Sequence, residues 1–273
     1  MSLRVVEVTD EVIAGIPYLN AAARGGVEVE SLLLVRATVE GLPDELAGLL
    51  VTSDLQGRAA SPLRGGESCL LGEVLAETCL DLAADGLIPT APELGVLLCG
   101  DLYAAEHADQ RGATGDVRPV WSAFGHAFRW VIGVAGNHDE FGNERQAERF
   151  LGSLPDASLL DGDVVERDGL SFGGVGLIIG NTRRSGRRSE ESFLGLLEPV
   201  VAAAPDVLLL HEGPALSRRQ RGSEAITELL VESDVPLVTC GHVHWDEPLG
   251  ELTDETQVLN VDARALLLTP ADR

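Results

Sequence analysis

Five apolar runs in this chain each stop at a side chain able to bind a metal ion. "LLVTS" is followed by Asp54-Leu55-Gln56, "GVLLCG" by Asp101, and "VIGVAG" by Asn137, His138 and Asp139. "DVLLL" leads into His211, and "LVTCG" into His242 and His244. One such residue means little, because an Asp after a strand commonly caps a helix or shapes a turn. The recurrence is harder to set aside: four of the six histidines fall at these ends, with three acids and an Asn among them. His107 and His126 lie in a polar stretch and a helix candidate, and read as structural residues.

The donor set has a chemical logic. Carboxylates and amide oxygens combined with imidazoles suit Mn, Fe or Zn, and no thiolate is offered. The donors outnumber the needs of one cation, so a pair ~3.5–4 Å apart, bridged by a single Asp, is the natural arrangement. Side chains alternate along an extended segment, so "GHVH" is expected to present His242 and His244 on one side.

These residues need strands that end at a common place. Strand-like runs alternate with amphipathic stretches: "ESCLLGEVLAETCLDLAADG" carries Leu70, Leu71, Val74, Leu75, Cys79 and Leu82 at helical spacing. Further helices are expected around Pro119–Phe128, Glu144–Leu151, "SEESFLGLLEPVVAAA" and "GSEAITELLVES". "DVVERDGLSF" reads as two short β runs around a turn at Asp168-Gly169, and "QVLNVD" and "ALLLT" as closing strands. The fold class predicted is α/β with mixed sheets. One domain is expected over residues 1–273, with 1–45, including "SLLLVRATV", as an N-terminal β extension. In α/β folds, ligands bind at the carboxyl ends of strands, where these side chains fall.

Composition narrows the chemistry. A net charge of −24 repels polyanions, which disfavours a nucleic-acid partner. The basic segment "NTRRSGRR" reads as a solvated loop or a small phosphate contact. All 20 basic residues are arginine, which excludes a P-loop lysine and a lysine Schiff base. Cys69, Cys79, Cys99 and Cys240 form no Cys-x-x-Cys, so neither a disulfide framework nor a zinc knuckle is expected. "GGVGLIIG" lacks the spacing of a dinucleotide loop, and no Gly-x-Ser-x-Gly elbow occurs. No apolar run reaches the ~18 residues of a membrane helix. "MSLRVVEVTDEV" has no signal core, so the expectation is a cytoplasmic protein without a membrane partner.

The ordered series "SDLQG", "CGDLY", "GNHDE", "LHEG" and "GHVH", spanning residues 54–244, resembles the calcineurin-like metallophosphoesterase superfamily. The resemblance implies a two-sheet sandwich flanked by helices (four layers, αββα) and two divalent ions: Mn first, with Fe, Zn or Mg as alternatives. It places Asp54, Gln56, Asp101 and His244 on the first ion, and Asp101, Asn137, His211 and His242 on the second. His138 matches the histidine that contacts the phosphate or protonates the leaving group, and Asp139 would orient it. A hydroxide activated by the ions would be the nucleophile.

Gln56 departs from the usual Asp-x-His. It reads as a working ligand biased toward Mn or Mg, as a spectator beside a weak first ion, or as a mark of decay. The first reading is the most economical, because every other motif position is intact. The manganese-dependent ADP-ribose/CDP-alcohol diphosphatases also carry Asp-x-Gln. Arg58, close behind Gln56, and Arg183 and Arg184 are candidate clamps on substrate phosphates. The activity expected is hydrolysis of a small phosphodiester or diphosphate, with nucleotide-like substrates among the candidates. The alternatives are a phosphomonoesterase or protein phosphatase, and a non-catalytic interaction module of the same fold.

Overall fold

The buried strands form where apolar residues run without interruption, because both faces of each strand are covered. The computed structural model describes residues 2–271. The first half runs β1 (Arg4–Ala21), β2 (Val27–Glu40), β3 (Gly48–Ser53), β4 (Arg58–Ser61), β5 (Glu67–Leu70), α1 (Leu71–Ala84), β6 (Leu94–Leu98), β7 (Gly115–Asp116), α2 (Arg118–Ala127), β8 (Trp130–Gly133), β9 (Asp139–Glu140), α3 (Glu144–Leu151) and β10 (Ala157–Leu159). Then come β11 (Asp163–Arg167), β12 (Leu170–Val175), β13 (Ile178–Ile179), β14 (Arg187–Arg188), α4 (Glu190–Ala202), β15 (Val207–Glu212), α5 (Glu224–Val231), β16 (Leu237–Gly241), β17 (Leu249–Glu251), β18 (Gln257–Asn260) and β19 (Arg264–Pro270).

Two mixed sheets dominate, ordered β10-β8-β6-β3-β19-β2-β1-β4-β5 and β11-β12-β15-β16-β18-β17. Alternation along single strands sorts their side chains into layers. In β3, Leu50 joins the core under α1 and α2, while Leu49 and Val51 pack between the sheets. In β15, Val207 and Leu209 enter that same inter-sheet core, and Leu208 and Leu210 meet α4 and α5. The result is the helix–sheet–sheet–helix sandwich expected. Each fully buried Leu contributes ~1.5–3 kcal/mol, so three such cores hold the strand ends rigidly.

Local chemistry closes the connections. Asp168 (φ 49°) and Gly169 (φ 80°) form the left-handed turn of the β11–β12 hairpin. The Asp168 carboxylate also accepts from Arg129 Nε (2.7 Å) and Trp130 Nε1 (2.6 Å), tying that hairpin to the first sheet. On α1, the buried Glu73 and Glu77 are matched by Arg64 (2.8 Å) and Ser61 Oγ (2.7 Å), respectively. Residues 1–45 supply two strands: β2 pairs in parallel with β19, and β1 folds back on β2 with register shifts between Val5 and Ala14. The tip of this long hairpin reaches the end of the sandwich where the candidate ligands collect.

Candidate metal centre

Asp54, Asp101 and His242 share an unusual backbone, with φ of 55°, 55° and 65°. For residues other than Gly this left-handed region costs ~1–2 kcal/mol each. Three such residues meet at one end of the sandwich, each where a strand gives way to a turn. Glycines make the approach feasible. A Cβ at Gly136 would lie 2.1 Å from Asp101 Oδ1, and one at Gly241 would lie 2.3 Å from Asp54 Oδ2.

The first sheet delivers Asp54, Asp101 and Asn137, and the second delivers His211 and His242. Donor atoms of Asp101, His211 and His242 lie within 4.8 Å of one another. His211 Nδ1 lies 2.8 Å from the Cys99 carbonyl, so that nitrogen carries the proton. Nε2 then faces Asn137 Oδ1 at 3.3 Å and Asp101 Oδ1 at 3.5 Å. Asp101 Oδ1 also accepts the His138 backbone N–H (2.9 Å), and Asp54 Oδ2 accepts that of His242 (2.9 Å). Gln56 touches the cluster through its amide nitrogen, which donates to Asp101 Oδ2 at 3.0 Å.

The charges are coupled. Burial opposes a charge on His211, but the Asp101 carboxylate outweighs it and lifts the imidazolium to about 10. Burial likewise works against charge on Asp101, yet His211 holds it below the usual carboxylate range. His242 is pushed down to about 4 by burial and by His211. Asp54 is raised well above the ordinary value by burial, with Asp262 and Asp101 adding repulsion against the opposing pull of His211. Such a crowd of buried acids around a protonated imidazole is a site whose proton a divalent cation can replace, because ligation requires the neutral ring. The donor set fits a hard or borderline cation, with oxygen and imidazole donors and no thiolate.

His138 stands on the cleft wall, its Nδ1 3.2 Å from Thr114 Oγ1. The resemblance implies that Asp139 orients that ring, but the carboxylate is occupied by backbone. Its Oδ2 accepts from Asp101 N (2.9 Å) and Gly136 N (2.8 Å), and Oδ1 from Leu102 N (2.7 Å). Asp139 therefore braces two ligand-bearing turns, and burial, with repulsion from Asp101, raises it to about 6.

Other expectations need correction. The alternation argument for "GHVH" does not apply, because His242 is left-handed and β16 ends at Gly241. His244 lies on the cleft rim instead, with Nδ1 2.9 Å from Asp262 Oδ2 and Nε2 3.3 Å from Arg264 Nη2. Arg58 lines a different hollow with Pro17, Leu19 and Val29, because pairing of β4 with β5 draws its guanidinium to the Ser68 carbonyl at 2.8 Å. Arg183 and Arg184 are exposed in a turn closed by Asn181 and do not line the cleft. Arg111 lines it, as do Tyr18, Glu28, Glu30 and Asp262. Asp262 was detectable: it comes after "QVLNV" as the candidate ligands come after their strands. Tyr18 and the hairpin acids carry no local signal.

The cleft over this cluster holds about 440 Å³. A two-sheet αββα sandwich with oxygen and imidazole donors gathered at one end is an arrangement suited to binding a metal ion. The model of the calcineurin-like phosphoesterases matches residues 49–246, and the chain belongs to that family. Among solved structures, TT1561 of Thermus thermophilus is 16% identical, covering 80% of this chain and 90% of that one with a TM-score of 0.53. The sulfate thiohydrolase SoxB of Thermus thermophilus is 17% identical, over 84% of this chain and 58% of that one, at a TM-score of 0.43. AQ665 from Aquifex aeolicus, a protein of unknown function, is 14% identical, over 81% and 95%, at 0.36. The likeness to TT1561 reflects fold. No curated protein matches the chain. No described helix is long and apolar enough to cross a membrane.

Proposed function

We propose that this protein hydrolyses a small phosphodiester or diphosphate, nucleotide-like in size, at a pair of divalent cations with manganese preferred. The observation that carries the reading is the convergence of Asp101, His211 and His242 within 4.8 Å, with Asp101 and His242 lining a 440 Å³ cleft and His211 buried beside them. That volume lies within the ~300–1,000 Å³ of small-molecule sites. Asp54, Gln56, Asp101 and His244 would hold one cation, and Asp101, Asn137, His211 and His242 the other. When bound, the cations polarise the phosphoryl oxygens and lower the pKa of the attacking water.

The chain's own residues supply position and selection. His138, steadied by Thr114, is placed to hydrogen-bond a phosphoryl oxygen or to pass a proton to the leaving group. Asp139 keeps the Asp101 and Asn137 turns in register. Residues 1–45, as part of the same domain, wall the cleft with Glu28 and Glu30. Among the described residues, those acids and Asp262 face a single lining arginine, Arg111, which is the cation available to a substrate phosphate. Such a field repels a dianionic monoester more than a monoanionic diester, which favours the diester within this reading. It also disfavours phosphoprotein tails and nucleic acid.

The test compares bis-p-nitrophenyl phosphate with p-nitrophenyl phosphate in Mn²⁺, with Asp101→Ala as the blank. Diester turnover lost in the variant supports the reading. Monoester preference would reverse the substrate class, and no metal-dependent turnover of either would favour a binding module.

A further inference from the structure

The two cation positions are unequally prepared. Donor atoms of Asp101, His211 and His242 already lie within 4.8 Å of one another, and Asn137 Oδ1 is 3.3 Å from His211 Nε2. The other set is engaged elsewhere. Gln56 turns an amide N–H to Asp101 Oδ2 at 3.0 Å, and an N–H cannot bind a cation. His244 is tied at both nitrogens. Asp262 Oδ2, 2.9 Å from Nδ1, fixes the ring proton there and leaves the only lone pair on Nε2. That lone pair receives Arg264 Nη2 at 3.3 Å.

A guanidinium and a cation at the first position therefore compete for one pair of electrons. The carbonyl of Trp245 (2.5 Å) anchors Nη2 in place, and its second hydrogen is shared between His244 Nε2 and the Asp246 carbonyl, each at 3.3 Å, so its hold on the ring is one that a cation can displace. Arg264 Nη1 is buried without a hydrogen-bond partner, so the group gains nothing on that side by staying put. Asp262 acts in the opposite sense. A carboxylate on the far nitrogen of a ligating histidine fixes its tautomer and strengthens it as a donor. Both residues lie beyond position 246, outside the segment that matches the family: Asp262 on the connection into β19 and Arg264 at its first position.

We infer that the centre fills in two steps, with Asp262 and Arg264 as positioning residues that set the affinity of the second. The inference rests on the two-cation reading above. The first cation takes the prepared set. The second requires Gln56 to rotate its oxygen inward and His244 to leave Arg264, while Asp262 keeps the ring in the binding tautomer. The Asp-x-Gln substitution and the Arg264 latch together make this a loosely held, exchangeable cation.

The test is a Mn²⁺ titration of the full chain by calorimetry, with low-temperature EPR to distinguish an isolated ion from an exchange-coupled pair. Wild-type protein should bind one ion tightly and a second at least about tenfold more weakly, the coupled signal growing only with the second. Arg264→Met should strengthen the second step by about tenfold. Asp262→Ala should weaken it by ~10–100-fold, with Asp262→Asn between, and neither should move the first step. Equal affinities in the wild type would overturn the inference, as would variants that leave the second constant unmoved or shift both constants together. Those results leave the phosphoesterase reading intact. A chain that binds no Mn²⁺ would overturn both.

Discussion

Gly136→Ala should disable the centre without touching a ligand. The residue has no positive φ, so the penalty is steric alone. Its Cβ would lie 2.1 Å from both the backbone nitrogen and Oδ1 of Asp101, about 1 Å inside the closest approach that real Cβ atoms show. Relief by sliding the two turns apart is resisted, because Asp139 Oδ2 holds Asp101 N at 2.9 Å and Gly136 N at 2.8 Å. The Asp101 backbone must therefore shift against those hydrogen bonds, and its carboxylate moves with it. Overpacking of this kind costs ~1–3 kcal/mol in stability. A shift of ~1 Å in a reacting or ligating group costs ~10²-fold in rate. The assay is Mn²⁺-dependent diester hydrolysis beside calorimetric Mn²⁺ binding and thermal melting. The expected result is a fall of about 100-fold in kcat/KM, with weaker binding of both ions if Asp101 serves both as proposed. Gly195→Ala is the control of opposite sign: it sits exposed in α4 with nothing within 4 Å of a new Cβ, and should stabilise by ~0.5–1 kcal/mol with activity unchanged. Wild-type metal affinity and turnover in Gly136→Ala would refute the claim that Asp101 must sit where the structure has it.

The remaining expectations concern charge and donor identity. Asp139→Asn presents an N–H₂ to at least one of three backbone donors, so it should cost ~1–3 kcal/mol in thermal stability and weaken Mn²⁺ binding; unchanged melting would mean those amides find other acceptors. Mn²⁺ binding should release the His211 proton and strengthen about tenfold per pH unit until about 10, read as buffer-dependent heats in calorimetry. In metal-free protein the same raised pKa gives a stabilisation that is complete below 6.5 and lost as pH rises through about 10; a pH-independent melting point across that window would contradict it. Gln56→His should shift preference toward Zn²⁺ by supplying an imidazole, and an identical metal profile would exclude Gln56 as a ligand.

Much of this was legible because burial writes itself into the chain. Strands covered on both faces appear as unbroken runs such as "GVLLCG", and the residue that ends each run is displayed at one end of the sandwich. Helix α3 lies where it was expected, over Glu144–Leu151, with Asn143 Oδ1 accepting from Gln146 N at 3.0 Å at its start. The features that escaped depend on the path of the chain in space. The position of His244 on the rim was not readable because a left-handed His242 breaks the alternation that would pair the two rings. The role of Asp262 depends on β19 lying next to β3, which brings it to Ser53 across more than 200 positions of sequence. The acidic wall from Glu28 and Glu30 exists because a hairpin otherwise read as a sheet extension reaches over the site.

The most direct test of the central claim is the position of bound manganese in crystals of this protein, read from its anomalous scattering. The account predicts a peak ~2.0–2.3 Å from the facing donor atoms of Asp101, His211 and His242, and its loss in Asp101→Ala. Manganese bound elsewhere, or a peak that survives in Asp101→Ala, would contradict it.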